Sequence, residues 1–537
     1  MGASSRSFVF DLVRSRTFFC IIAVIIVAGG CGRGVATAAR GNVLLIVVDT
    51  LRADHVGAYG SETATPNIDG LVARGVTFER AYSAVPITGP SHSSLFTGLL
   101  PFEHSVHNNG QILDPRFRTL AEILGDGGRS TAAVVSLGVL NRKFGLTRGF
   151  DTYRDDFELD WMKDAGEVNE EVFEILDRRF ATPYFLWVHY SDPHEPYAPP
   201  GLDYPRIALE VNGAPIGELP ANGRSAVFDI ELPSGVNQLR LIDTSSRKGA
   251  TYRLTTIRVS ESLIEVRLTK EWKTRERRVG DPSRKAAFPA TVELVNSGAG
   301  ARSVTLELAC KRVLERDEIR ERYALEVEYV DRQIGRLLNR MREHGLLDDT
   351  LIVFLSDHGE GLGDHRHVGH ISQLYDSLLR VPLIMSRPGR LPEGLRIEQP
   401  VSLVDVLPTI TDLLDLPKPR GGSGVSLLPL IAGAKADPRP IFAVTSRPES
   451  ASDKTAVIAR GYKFIHSLTD DRDWEELYDL EADPDELVNL APSAPPILGE
   501  LRDILAARLS SSAMAAVDPA DLSEEEIDRL RALGYVH

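Results

Sequence analysis

The sequence predicts an α/β protein: a central mixed, mostly parallel sheet flanked by helices, an inserted β-sandwich, and a small C-terminal α+β subdomain. Three observations predict it. From Asn42 onward, strand-length apolar runs alternate with amphipathic helical stretches, the pattern of strands in a largely parallel sheet. Between Pro200 and Cys310 the texture changes to polar–apolar alternation, as in I-A-L-E-V-N-G, A-V-F-D-I-E-L and N-Q-L-R-L-I-D, which suits strands with one solvated face. After Pro400 come a helical V-D-V-L-P-T-I-T-D-L-L, a Gly/Pro-rich stretch (417–424) and the short strands R-P-I-F-A-V-T-S and A-V-I-A-R-G-Y-K-F-I. At 537 residues the chain exceeds a single core. The expected division is 1–40 targeting segment and linker, 41–200 first part of the α/β domain, 201–310 sandwich, 311–435 second part, and 436–537 subdomain with a docked terminal helix.

Taken in order, the chain opens with Arg6, Arg14 and Arg16 before the apolar run F-F-C-I-I-A-V-I-I-V-A, too short to span a bilayer comfortably. It ends in A-G-G-C, which resembles a bacterial lipobox with Cys31 as the lipidated residue. Ala36-Thr37-Ala38 offers a conventional cleavage site instead, and an uncleaved anchor helix is the remaining alternative. The expectation is an exported periplasmic or cell-envelope protein, with a lipid anchor to the membrane through Cys31 as one form of it. Loss of Cys20 with the signal and lipid on Cys31 would leave Cys310 without a partner, which excludes a disulfide-stapled fold.

Four strand candidates follow: N-V-L-L-I-V-V-D (42–49), T-A-A-V-V-S (131–136), P-Y-F-L-W-V-H-Y-S-D (183–192) and T-L-I-V-F-L-S-D-H-G (350–359). Ligand sites of open α/β sheets lie beyond the carboxyl ends of the strands. Asp49, Asp192, His194, Asp357 and His358 should therefore converge on one crevice. G-E-G-L-G (359–363) follows S-D-H rather than opening a strand–turn–helix unit, so a dinucleotide site is a poor reading. The inserted sandwich could bind substrate or a partner, or act as a spacer. The long amphipathic helix of I-R-E-R-Y-A-L-E-V-E-Y-V-D-R-Q-I-G-R-L-L-N-R-M then leads back into the sheet.

The net charge of −15 argues against nucleic acid, because a phosphate backbone calls for a basic footprint. An anionic small molecule, glycan or lipid head group could still be drawn to a local metal. The segment V-P-I-T-G-P-S-H-S-S-L-F-T-G-L-L-P (85–101) places the Thr88 hydroxyl at the start of a helical pattern, with Pro90 suited to the first turn. The dipole and unpaired N–H groups there favour an anion and an ionised alkoxide, so Thr88 is a candidate nucleophile toward a phosphoryl or sulfuryl centre. A Thr-capped helix start is the plainer alternative.

Five segments resemble the sulfatase family of the alkaline phosphatase superfamily. They are V-V-D-T-L-R-A-D-H-V-G-A-Y-G, T-P-N-I-D-G-L-V-A-R-G-V-T-F-E-R-A-Y, T-G-P-S-H-S-S-L-F-T-G, L-S-D-H-G-E-G-L-G-D-H and E-E-L-Y-D-L-E-A-D-P-D-E-L-V-N-L-A. The resemblance implies an alkaline-phosphatase-like fold and one divalent metal ion held by Asp49, Asp357, His358 and the nucleophile Thr88. Two carboxylates and an imidazole are a mixed O/N set suited to Mn²⁺, Mg²⁺ or Zn²⁺, with a purely calcium-type cage less suited to His358. His194 and His370 stand where family members contact the leaving oxygen of the ester, and His370 occupies a position that is often lysine. His92, in place of the family arginine, completes the catalytic candidates. A second metal on Asp192, His194 and His365 matches no defensible dinuclear spacing.

The departures shape the functional expectation. Sulfatases oxidise a cysteine or serine to formylglycine; Thr88 carries a methyl group on Cβ, so it cannot become an aldehyde and no formylglycine is expected there. The Lys-x-His segment that grips sulfate is replaced by V-V-S-L-G-V-L around Ser136. The resemblance therefore implies a metal-dependent hydrolase acting on a phosphate, phosphonate or sulfate ester, phosphodiesters included, through a covalent Thr88 intermediate. The alternatives are an envelope phospho-group transferase and an inactive sulfatase-fold binding protein.

Overall fold

The computed structural model describes residues 41–510 apart from 158, 179–180, 246–249, 273–284, 418–420, 436, 448–451 and 470–471, together with 520, 522–524, 526–527 and 529. The targeting segment 1–40, with Cys31, and most of the expected terminal helix lie outside the described residues. Among the described residues no helix is long and apolar enough to cross a membrane.

An eight-stranded sheet forms the centre. Its strand order is Leu395–Ile397, Val76–Phe78, Leu383–Ser386, Thr350–Ser356, Asn42–Val48, Tyr184–Tyr190, Ser130–Val134 and Thr152–Arg154. Asn42–Val48 pairs in parallel with both Thr350–Ser356 and Tyr184–Tyr190, while Leu383–Ser386 runs antiparallel to its neighbours. The central strands are largely apolar because both faces are covered, as parallel sheets require. Val43, Leu45, Val47, Phe185 and Trp187 enter one core with Leu95 and Phe96 of helix Thr88–Thr97. Leu44, Ile46, Val48, Leu186 and Val188 enter the other, with Val327, Val330 and Ile334 of helix Arg316–Glu343. The period-2 alternation of the strands thus assigns each side chain to one core or the other.

The expected alternating segments form two facing antiparallel sheets. One has the order Ile264–Leu268, Ala290–Asn296, Gly235–Asp243, Arg206–Val211, Ala214–Pro220; the other is Lys285–Ala287, Thr251–Val259, Arg302–Arg312, Ala226–Leu232. Leu209, Leu239, Leu241, Val292, Leu306 and Leu308 fill the space between them. The last strand runs two residues past Cys310, whose side chain is buried in that core and whose thiol burial pushes up to about 12.

The C-terminal part departs from the expectation in one respect. A-V-I-A-R-G-Y-K-F-I is two strands rather than one, Ser452–Ala459 and Tyr462–Thr469, joined by Arg460-Gly461. Both turn residues have positive φ (57° and 81°), the conformation a two-residue hairpin of this kind needs. Ile441–Arg447 and Arg472–Asp479 complete the sheet, and helix Pro496–Ser510 covers it with Leu498, Leu501 and Leu505.

Candidate active site and metal centre

Register brings the two acidic strand ends together. Val48 pairs with Ser356 on one side and Tyr190 on the other, so Asp49 and Asp357 emerge side by side at the carboxyl edge of the sheet. The loops that follow are tied to each other: Thr50 N–H donates to Asp357 Oδ1 (3.3 Å), Leu51 N–H to Ser356 Oγ (2.9 Å), and Arg52 Nη1 to the Glu360 carbonyl (3.2 Å). Ser91 Oγ, on the helix Thr88–Thr97, donates to the Asp357 carbonyl at 2.8 Å and locks that helix onto the same edge.

Thr88 is the first residue of this helix, and Ile87 is its cap, with no side-chain capping bond. The Thr88 hydroxyl is therefore not spent on capping. It donates to Asp49 Oδ2 at 3.2 Å and lies 3.3 Å from His358 Nε2, with the residue wholly buried. The helix N-terminus differs from the sequence expectation in that Gly89 N–H donates to Asn109 Oδ1 (2.7 Å) and is not open to an anion. A Cβ at position 89 would stand 2.7 Å from that same oxygen, so a larger residue there would displace the Asn109 side chain.

His358 has a defined tautomer. Its Nδ1 lies 2.9 Å from the Gly359 carbonyl, which can only accept, so the proton sits on Nδ1 and Nε2 presents a lone pair to Thr88 and the carboxylates. Asp49, Asp357 and His358 each offer one ligand atom within 4.8 Å of the others. Asp49 Oδ1 and Asp357 Oδ2 are buried and make no hydrogen bond in the protein. Burial pushes Asp357 up to about 7, with the Asp49 charge adding to it, and raises Asp49 as well; it lowers His358 to about 4. The protein alone disfavours the charged form of each group, an imbalance that a bound cation would offset. Two aligned carboxylate oxygens, a lone pair and a hydroxyl thus fit one divalent ion.

His194 and His370 lie next to this group. Their ring centroids are 5.1 Å apart, and His370 is 4.7 Å from His358. His194 Nδ1 donates to the Glu195 carbonyl at 2.7 Å, and His370 Nδ1 is 3.4 Å from Glu360 Oε1. Burial lowers both histidines, His370 to about 3, and raises Glu360 to about 7. His92 lies beneath Thr88 instead of beside the hydroxyl: its Nδ1 donates to the Thr88 carbonyl (2.8 Å) and is 3.6 Å from Asp357 Oδ2. His365 stacks on Tyr375 at 3.7 Å, and the Asp192 carboxylate accepts the Ala165 N–H at 2.7 Å. Neither belongs to the ligand groups found among the described residues.

Three residues escaped the sequence reading. His189 is buried with Nε2 3.5 Å from Asp49 Oδ2 and Nδ1 2.8 Å from Ser136 Oγ. Its register partner Val47 marks it as one residue inside the strand end, a signal available only once pairing is known. Glu360 was quoted within its motif but given no role. Lys163, paired with Glu171 at 2.7 Å, lines a cavity of 860 Å³ that reaches His194 and Asp192. Arg206, Asn222 and Arg224, from the inserted strands and the loop between them, form another wall of that cavity.

Known proteins agree with this construction. The sequence profile described as Sulfatase matches residues 41–416, and that of the N-sulphoglucosamine sulphohydrolase C-terminal region matches 363–512. An N-acetylglucosamine-6-O-sulfatase of Bacteroides thetaiotaomicron is 25% identical over 492 residues, covering 84% of this chain and 82% of that one. A choline-sulfatase of Rhizobium meliloti is 27% identical over 511 residues, covering 89% of each. The crystal structure of the phosphonate monoester hydrolase of Agrobacterium radiobacter superposes with a TM-score of 0.60 at 20% identity, over 91% of this chain and 99% of that one. The chain belongs to the sulfatase family of the alkaline phosphatase superfamily, and its class is that of the sulfuric and phosphoric ester hydrolases.

Proposed function

We propose that this protein hydrolyses an anionic phosphate, phosphonate or sulfate ester, with preference for the phosphorus esters, through a covalent intermediate on Thr88. The observation that carries this reading is the Thr88 hydroxyl, unused for capping and held between Asp49 and the His358 lone pair. Asp49, Asp357, His358 and Thr88 would hold one divalent ion, Mn²⁺, Mg²⁺, Ca²⁺ or Zn²⁺. When bound, such an ion lowers the pKa of a coordinated hydroxyl and draws charge from a non-bridging ester oxygen.

The residues divide the remaining work. Thr88 Oγ1, passing its proton to Asp49 Oδ2, attacks phosphorus as the bond to the leaving oxygen breaks, giving a phosphothreonine; the proton returns to Oγ1 when Thr88 is freed. His194, with His370, delivers a proton to the departing alkoxide and then takes one from the water that attacks phosphorus and frees Thr88. Burial lowers both imidazoles, which suits the base step and makes proton delivery dependent on the substrate's negative charge. Sulfate transfer by formylglycine chemistry needs a second hydroxyl on the nucleophile carbon to expel sulfate. Thr88 has one, whereas a phosphothreonine is opened directly at phosphorus. The N-acetylglucosamine-6-O-sulfatase and choline-sulfatase among the relatives and the phosphonate monoester hydrolase among the structures share an anionic ester as the reacting group. The 860 Å³ cavity beside His194 supplies room for the rest of such a substrate. The same reading takes the chain as exported, on the basic and apolar segment 1–31.

The test is a panel of aryl phosphate monoester, phosphate diester, phosphonate and sulfate with metal-loaded protein. Turnover of a phosphorus ester is expected, and Thr88→Ala should lower kcat/KM by roughly 10³-fold or more. Hydrolysis of the sulfate alone would overturn the phosphorus preference, and full activity in Thr88→Ala would overturn the covalent route.

A further inference from the structure

Two sets of potential ligands meet in one carboxylate. Besides Asp49, Asp357 and His358, the residues His92, His189 and Asp357 also place one ligand atom each within 4.8 Å of one another. All three of the latter are fully buried. His92 projects from helix Thr88–Thr97 and His189 from strand Tyr184–Tyr190, on the face that carries Trp187; the two rings lie 4.9 Å apart.

The hydrogen bonds define what these rings present. His92 Nδ1 faces the Thr88 carbonyl, an acceptor only, so the ring proton is on Nδ1 and Nε2 carries a lone pair. His189 Nδ1 faces the Ser136 hydroxyl, which serves as donor or acceptor and therefore permits the tautomer with a lone pair on Nε2. His92 Nε2, His189 Nε2 and Asp357 Oδ2 are all buried and make no hydrogen bond. The two imidazole lone pairs, buried without a hydrogen-bond partner, are costly unless something binds them. An arginine at position 92, as the family pattern has it, would bring a permanent positive charge to Asp357. A neutral imidazole brings a lone pair instead.

We propose that His92, His189 and Asp357 bind a second divalent transition-metal ion, with Asp357 shared between it and the ion held by Asp49, Asp357 and His358. Two imidazoles and a carboxylate favour Zn²⁺, Mn²⁺ or Co²⁺ over Mg²⁺ and Ca²⁺, which take mainly oxygen ligands. Ser136 and the Thr88 carbonyl are the outer partners that orient the two rings, as hydrogen-bond acceptors behind ligating histidines do. The shared carboxylate would fix the orientation of Asp357 toward Thr88. This inference is independent of which ester is cleaved.

The experiment counts ions. Protein stripped with a chelator is reloaded with Mn²⁺ and, separately, Zn²⁺, and bound metal per chain is measured by mass spectrometry. Two ions per chain are expected, and the Mn²⁺ form should give an exchange-coupled EPR spectrum from the carboxylate bridge. His92→Gln and His189→Gln should each reduce the count to one uncoupled ion, with circular dichroism confirming the fold. Asp49→Asn should remove the other ion and leave one. A single ion per chain in the wild type overturns the proposal, as does a count of two that both histidine variants leave unchanged. If either variant fails to fold, the count and coupling of the wild type decide.

Discussion

A side chain's partners fix its chemistry before any ligand arrives. His104 illustrates this away from the site: Val106 N–H donates to its Nδ1 (3.0 Å), so the proton lies on Nε2, which faces Ser94 Oγ at 2.9 Å. The ring is wholly buried, and burial lowers its pKa to about 3. Since the folded value lies below the unfolded one near 6.5, the unfolded chain binds the extra proton as pH falls between them. Stability should therefore decline below about pH 6.5 and stop declining on this account below about pH 3. His104 alone should cost about 1–2 kcal/mol between pH 6.5 and 5. Denaturant unfolding of wild type and His104→Asn at the two pH values checks this, because their difference should shrink by that amount. A pH-independent difference would mean that the ring is not held neutral.

At the scale of an element, the loop after Thr350–Ser356 shows how little slack the site has. Gly359 N–H donates to the Leu378 carbonyl (2.8 Å), and a Cβ on Gly359 would stand 2.1 Å from the Ser377 carbonyl oxygen, a backbone atom that cannot swing aside. The same loop carries Asp357 and His358, and the Gly359 carbonyl sets the His358 tautomer. Gly359→Ala should cost about 1–3 kcal/mol of stability by overpacking. It should also weaken metal binding, because the backbone shift moves the two proposed ligands. Chemical unfolding and metal titration of the variant measure both; an unchanged metal affinity alongside lost stability would separate the loop's structural role from its ligand role.

At the scale of the molecule, the site joins distant parts of the chain: Asp49 and Asp357 are more than three hundred residues apart, yet neighbours in register. An ion that binds only the folded arrangement stabilises it by mass action, about 2.7 kcal/mol at one hundred times its Kd. Chelation should therefore lower the Tm by roughly a few degrees, and Mn²⁺ should restore it. A Tm indifferent to chelator and metal would show that no ion is bound by the native state.

What the sequence determined was the chemistry of strand ends and the alternation of layers. Continuous apolar runs required a sheet covered on both faces, and alternating runs after Pro200 required half-solvated strands; both patterns are local consequences of period and burial. Asp49, Asp357, His358 and Thr88 were legible because each follows or opens a recognisable element and carries a family motif. Local pattern did not reveal the turn at Arg460-Gly461 as a break, because an apolar run on both sides of a two-residue turn reads as one strand.

The tertiary structure alone decided what depends on pairing. His189 became a candidate ligand when strand register set it beside Asp49, and His92 proved to lie under Thr88 because a helix places residues i and i+4 on one face. Arg206, Asn222 and Arg224 reached the cavity near His194 only through the packing of the inserted sheets against the central domain. Such contacts are set by distance in space, which periodicity along the chain does not encode.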